Sequence, residues 1–147
     1  MSAAALLASA ALVSAVTFTA WALYVTLVEH PARIASGAAA GRAQFGPSYH
    51  RAAPWQASFV VIALLSGALQ AALTGRWTWL AGALAIGAAI PLTLVVIRPV
   101  NHRLLSGAPL ADAEILSLLE RWGRLHAVRT VLGAAGLLAF LYALRTR

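Results

Sequence analysis

Four apolar stretches, each roughly 17–25 residues long, are enough to carry a chain of 147 residues across a bilayer four times, and this constrains the fold more than any other feature. They lie at about 3–28, 55–74, 79–97 and 127–144. The sequence therefore predicts an all-α fold, an integral membrane antiparallel four-helix bundle forming one domain over 1–147. Hydrophobic residues make up 61% of the chain and charged residues 10%, a balance that excludes an ordinary soluble domain. The first stretch is alanine-rich like a secretory leader. It lacks a basic start and stays apolar through Trp21 and Tyr24 to Val28, so it reads as a retained helix.

Punctuation between the stretches is sparse. Pro54 fits the first turn of the second helix, and Thr74-Gly75-Arg76-Trp77 makes a tight turn into the third. Pro91 should bend the third helix and Pro99 should end it. Ile115, Leu118, Leu119 and Trp122 follow helical spacing, which predicts one long helix from about Asp112 to Leu144. The alanine-rich "RIASGAAAGRAQ" is expected to form only a short, weakly anchored helix.

All eleven basic residues are arginines. They cluster at the ends of apolar stretches, with no recognition motif or soluble basic face, so membrane topology explains the net charge of +7 better than nucleic acid does. The side carrying the 29–54 and 98–126 connections holds Arg33, Arg42, Arg51, Arg98, Arg103, Arg121, Arg124 and Arg129. The other side holds Arg76, Arg145 and Arg147. By the positive-inside rule the long connections are expected in the cytoplasm, with both termini periplasmic or outer, in a bacterial inner (plasma) membrane.

Every histidine and every acid also falls on the first side. Trp122, His126, Arg129 and Gly133 share one helical face, which is expected to look inward because charge near hydrocarbon seeks a bundle interior or a watery cavity. The alternative is an Arg129 that snorkels outward beside an interfacial His126. Asn101, in "IRPVNHRLL", could clamp a phenol or carbonyl, or simply finish a helix. Glu29, in "VEHPAR", needs Arg129 or Arg33 as partner if sheltered, and otherwise is a solvated helix end. Tyr49 and Gln56 complete the rim, and Arg124 can pair with Glu120.

The histidines lack the spacing of a helical metal site, so no metal or other cofactor is expected. The alternative trio is His30, His126 and Glu29, holding a transition metal such as copper or iron. With no cysteine, thiolate ligands and a cysteine nucleophile are excluded.

"PLTLVVIRPVNHRLL" and "LLERWGRLHAVRTVLG", with "YVTLVEHPAR" upstream, resemble the anthrone oxygenase-like family of small four-helix membrane proteins, over nearly the whole chain. The family's Pro-x-Asn turn falls on Pro99 and Asn101, and its Arg-Trp…Val-Arg helix on Arg121, Trp122, Val128 and Arg129. His126 departs from the fungal pattern, where asparagine is expected, and resembles the bacterial branch. For fungal members the resemblance implies oxidation of a tricyclic anthrone to an anthraquinone by molecular oxygen, while most bacterial members have no assigned reaction.

The expectation is thus a membrane-embedded oxygenase or oxidase. It would act with molecular oxygen on a lipophilic aromatic small molecule, with His126 as base, Arg129 and Asn101 stabilising an enolate, and Trp122, Glu29, Tyr49 and Gln56 binding substrate. Membrane lipid is a further expected partner, and a homo-oligomer stays open. The rival readings are a metal-dependent membrane oxidase and a non-enzymatic small membrane subunit or assembly factor.

Overall fold

The structure is a computed structural model describing residues 2–146. It contains four long helical rods, α1 (Ala3–Ala35), α2 (Ala38–Thr74), α3 (Trp77–Leu105) and α4 (Asp112–Arg145), each long and apolar enough to cross a membrane. No strand occurs among the described residues. Short connections make sequential helices antiparallel, and α1 also packs along α4 to close the bundle. The fold is the expected all-α four-helix bundle.

Small residues set the membrane-level packing. Phe140 of α4 lies where a Cβ on Gly67 of α2 or Gly82 of α3 would come within 2.7 Å of its ring, so both glycines are occupied space rather than flexibility. Such close backbone approach replaces the hydrophobic drive that lipid does not supply. Around it Ala11, Ala15, Phe18, Ala63, Trp79 and Ile86 form one buried core. A second core, with Phe45, Ile97, Leu104, Leu119 and Trp122, continues the bundle beyond it.

That second core corrects the expected boundaries. The 29–54 connection is not a loop with a short helix: α1 continues to Ala35, the chain reverses at Gly37 (φ +85°), and α2 begins at Ala38. Pro54 is therefore inside a helix rather than at its start, as is Pro47. Each proline forfeits a backbone hydrogen bond. The alanine-rich start favours helix, and burial of Phe45 on α2 against Trp122 offsets the loss. At 37 residues, α2 is about 56 Å long, far beyond the roughly 30 Å hydrocarbon core.

Pro99 likewise does not end α3, which continues to Leu105. The turn at Leu92–Ile97 widens to π-type bonding just before it, as Val25–Glu29 does on α1 before Pro31. In both places the wide turn ends two residues ahead of the proline, where it relieves the clash between the ring and the preceding carbonyl. Pro91 marks a local break in the hydrogen-bond ladder at Ala88, whose backbone stays helical and still donates to Leu84 O at 2.9 Å. By contrast α4 runs through Trp122 unbroken.

Arginines finish two rods. Arg42 donates from Nε to Leu104 O (3.1 Å) and from Nη2 to Ala108 O (3.0 Å) and Ser106 O beyond the end of α3. Arg76 does the same for Ala143 O at the end of α4. The turn between α2 and α3 closes on Gly75, whose φ of +69° suits glycine and whose N–H donates to Ala71 O at 2.8 Å.

Candidate functional site

Between the two cores lies a cavity of about 220 Å³, bounded by Val60 and Ala89 on one side and Phe45 and Ile97 on the other. Its position follows from the wide turns. Leu92–Ile97 packs against α4 but does not pack closely on α2, so the gap between α2 and α3 stays open there. Leu94 on the cavity wall is 57% exposed on the outer surface of the bundle. π-type turns commonly stand at functional sites.

The structure brings Asn101, Trp122, His126, Arg129, Glu29, Tyr49 and Gln56 to this one cavity, while Gly133 of the expected inward face lies against Phe18 outside its lining. Arg129 points into the bundle rather than outward. Its Nη2 donates to Gln56 Oε1 at 3.2 Å, its guanidinium stands over Phe18 at 5.5 Å, and its buried Nε has no partner among the described residues. Asn101 sits inside a helix instead of finishing one. Its Oδ1 accepts from Trp122 Nε1 at 2.8 Å, and the Nδ2 group has no protein partner among the described residues. Trp122 is therefore a bracket: it also stacks on the His126 ring at 4.7 Å and 24°.

Two threonines set the choice of tautomer at His126. Thr130 Oγ1 lies 3.2 Å from His126 O and 3.3 Å from Ala22 O. With the Thr130 proton given to these carbonyls, Thr26 Oγ1, 2.9 Å away, donates to Thr130 and accepts from His126 Nδ1 at 3.2 Å. That chain puts the proton on Nδ1 and leaves the Nε2 lone pair with no protein partner among the described residues, whereas the reverse chain, Thr130 to Thr26 to Nδ1, would put the proton on Nε2.

Glu29 decides between its two candidate partners. Its partner is Arg33, one helical turn along, at 2.6 Å, and not Arg129. Gln44 Nε2 (3.1 Å) and Ser48 Oγ donate to the same carboxylate oxygen. Arg33 is held between Phe45 and Trp122, its guanidinium carbon 5.4 Å from each ring. Elsewhere Arg103 bridges to Glu114 at 2.7 Å, and Arg124 forms no ion pair with Glu120 among the described residues.

His30 stands apart from the cavity wall, packed on Trp122 at 5.3 Å with Nδ1 3.4 Å from Arg33 Nη1. Among the described residues no three His, Asp or Glu side chains converge as metal ligands, so the trio of His30, His126 and Glu29 is not a preformed site. The functional neighbours that sequence reasoning missed are Thr26, Thr130, Phe45 and Ser48. Phe45 and Ser48 lay in a segment read as a loop, and the threonines had only their four-residue spacing from Ala22 and His126 to mark them.

The arrangement can take a proton at His126 Nε2 and hold a negative oxygen with Arg129 and Asn101, in a chamber whose other walls are mainly apolar. A family model described as anthrone oxygenase matches residues 45–139, more than half of the chain. The match includes Phe45, Tyr49, Gln56, Asn101, Trp122, His126 and Arg129 and begins after Glu29 and Arg33. Comparisons with curated proteins and with solved structures return no match.

Proposed function

From a chain that belongs to the anthrone oxygenase family, we propose a membrane-embedded oxygenase that oxidises a lipophilic anthrone- or phenol-like aromatic with molecular oxygen. The observation that carries this reading is His126, which lines a largely apolar cavity shared with Arg129 and Asn101 while its Nδ1 is engaged by Thr26. An anthrone has a CH₂ between two aromatic rings, acidified by the carbonyl across the central ring. His126 Nε2 takes one of its protons, and the negative charge moves onto the carbonyl oxygen. Arg129 and the Asn101 Nδ2 group meet that oxygen where water is scarce and such donors are most effective.

The resulting enolate is electron-rich and reduces oxygen itself. Carbon–oxygen bond formation and return of a proton give a hydroperoxide on the former CH₂ carbon. Loss of the remaining C–H proton and cleavage of the O–O bond release water and leave a second carbonyl. One anthrone and one O₂ thus become one anthraquinone and one H₂O, and the reading calls on no cofactor. Trp122 holds the Asn101 amide and the His126 ring, while Gln56 holds Arg129.

The test is oxygen uptake by the purified protein in detergent with anthrone as substrate. His126→Ala should abolish turnover above the uncatalysed rate while circular dichroism and gel filtration report a folded protein. His126→Ala with full oxygen-dependent activity would sink the proposal.

A further inference from the structure

Charge is not balanced around the cavity. Its wall carries two guanidiniums, Arg33 and Arg129, and one carboxylate, Glu29, together with the Tyr49 phenol and the His126 imidazole. Arg33 claims that carboxylate at 2.6 Å, with Gln44 and Ser48 on the same oxygen. Among the described residues Arg129 is left with one hydrogen bond, to the neutral Gln56 amide at 3.2 Å, while its Nε is buried without a partner. It lies one helical turn deeper in the bundle than His126, over the Phe18 ring.

An uncompensated cation at this depth is costly, and intramembrane charges that persist usually have a functional counter-charge. Beside a few neutral polar groups, Thr93 and Asn101 among them, the remaining surroundings are mainly apolar side chains and aromatic rings, such as Phe45, Ile97 and Leu94. They suit a flat ring system and not a hydrated inorganic ion. We infer that the cavity selects a planar aromatic acid, a phenol or carboxylic acid, which binds as its monoanion with the ionised oxygen on Arg129. The inference rests on the reading of this cavity as the substrate site and narrows its substrate class to aromatics with an ionised oxygen next to the reacting carbonyl, so that Arg129 holds that oxygen on binding and the adjacent enolate oxygen as His126 removes the CH₂ proton; neutral anthrone is then a weaker-binding substrate of the same site.

Binding without turnover tests it. Equilibrium binding of 9-anthracenecarboxylate, of its neutral counterpart 9-anthracenemethanol and of the non-aromatic acid decanoate is measured by fluorescence or calorimetry on detergent-solubilised protein. The aromatic acid should bind about tenfold or more tightly than the alcohol, the scale of one hydrogen-bonded charge, and more tightly than decanoate. Arg129→Gln should bring the acid down to the affinity of the alcohol and leave the alcohol within about threefold. Arg129→Lys, which keeps the charge, should retain part of the preference and serves if the glutamine variant does not fold.

Equal binding of acid and alcohol to the unaltered protein overturns the inference, as does a preference that survives Arg129→Gln. Decanoate binding as tightly as the aromatic acid would point to a fatty-acid or lipid anion and overturn the aromatic class. Oxygen uptake lost in His126→Ala alongside an absent acid preference would leave the oxygenase reading standing and remove only this inference. An acid preference with no oxygen uptake would do the reverse.

Discussion

Arg33→Met should destabilise the bundle more than any other single removal of an arginine charge. Arg33 is 2% exposed and Glu29 18%. Taking away one partner of a buried pair costs about 3–5 kcal/mol, and the partial exposure of Glu29 with its remaining Ser48 and Gln44 donors reduces that to about 2–3 kcal/mol. Loss of the cation held between Phe45 and Trp122 adds about 0.5–1 kcal/mol, part of which the methionine recovers by packing. The double variant Glu29→Gln, Arg33→Met removes both charges and should return to within about 1 kcal/mol of the parent. The assay is reversible unfolding in mixed micelles of increasing denaturing-detergent fraction, followed by circular dichroism. Arg129→Gln is the control: with no carboxylate to orphan, it should cost less than Arg33→Met. An Arg33→Met midpoint equal to the parent, an additive double variant, or a more damaging Arg129→Gln would each refute the assigned pairing.

Thr26→Val should move the His126 proton. With no hydroxyl to accept from Nδ1, nitrogen NMR of selectively labelled protein should show a loss of the Nδ1–H tautomer and a parallel loss of oxygen uptake, both restored by Thr26→Ser; an unchanged tautomer would disprove the donor chain. Gly82→Ala places a methyl group against Phe140 and the Gly136 carbonyl and should cost about 1–3 kcal/mol in the same unfolding assay, with partial rescue by Phe140→Leu; a neutral effect would contradict the close packing. In intact cells Ser106→Cys should resist a membrane-impermeant thiol reagent that labels Ser2→Cys, and the opposite pattern would reverse the expected topology.

The membrane-level fold was legible because hydropathy and length act locally, and the shared face of Trp122, His126 and Arg129 was legible because helical geometry alone puts them together. The extension of α2 back to Ala38 was not. Pro47, Pro54 and Gly41 argue against helix there, and the compensating burial of Phe45 depends on a residue of another helix 77 positions away, Trp122. The partner of Glu29 stayed open between Arg33 and Arg129 because i+4 spacing and convergence across the bundle are equally compatible with the sequence. The proton position on His126 needed two threonines from different helices, a relation that no local pattern encodes.

The wide turn at Leu92–Ile97 also works as a rotational offset. An α-helix advances about 100° per residue, so a turn that accommodates one extra residue delays everything after it by that angle relative to everything before. Asn101 meets Trp122 only with the delay in place, while Trp79, Ala83 and Ile86 on the earlier stretch keep their seats in the membrane core. Shortening the turn by one residue, for instance at the 73% exposed Val95, would remove no buried side chain. It would also close the wide turn to an ordinary α-turn and leave Asn101 in phase. Closing the turn at full length would instead swing the last part of α3 by about 100°, turn Asn101 off the cavity and bring Val100 to its angular place. The site is therefore indexed to the winding of α3 as well as to residue identity.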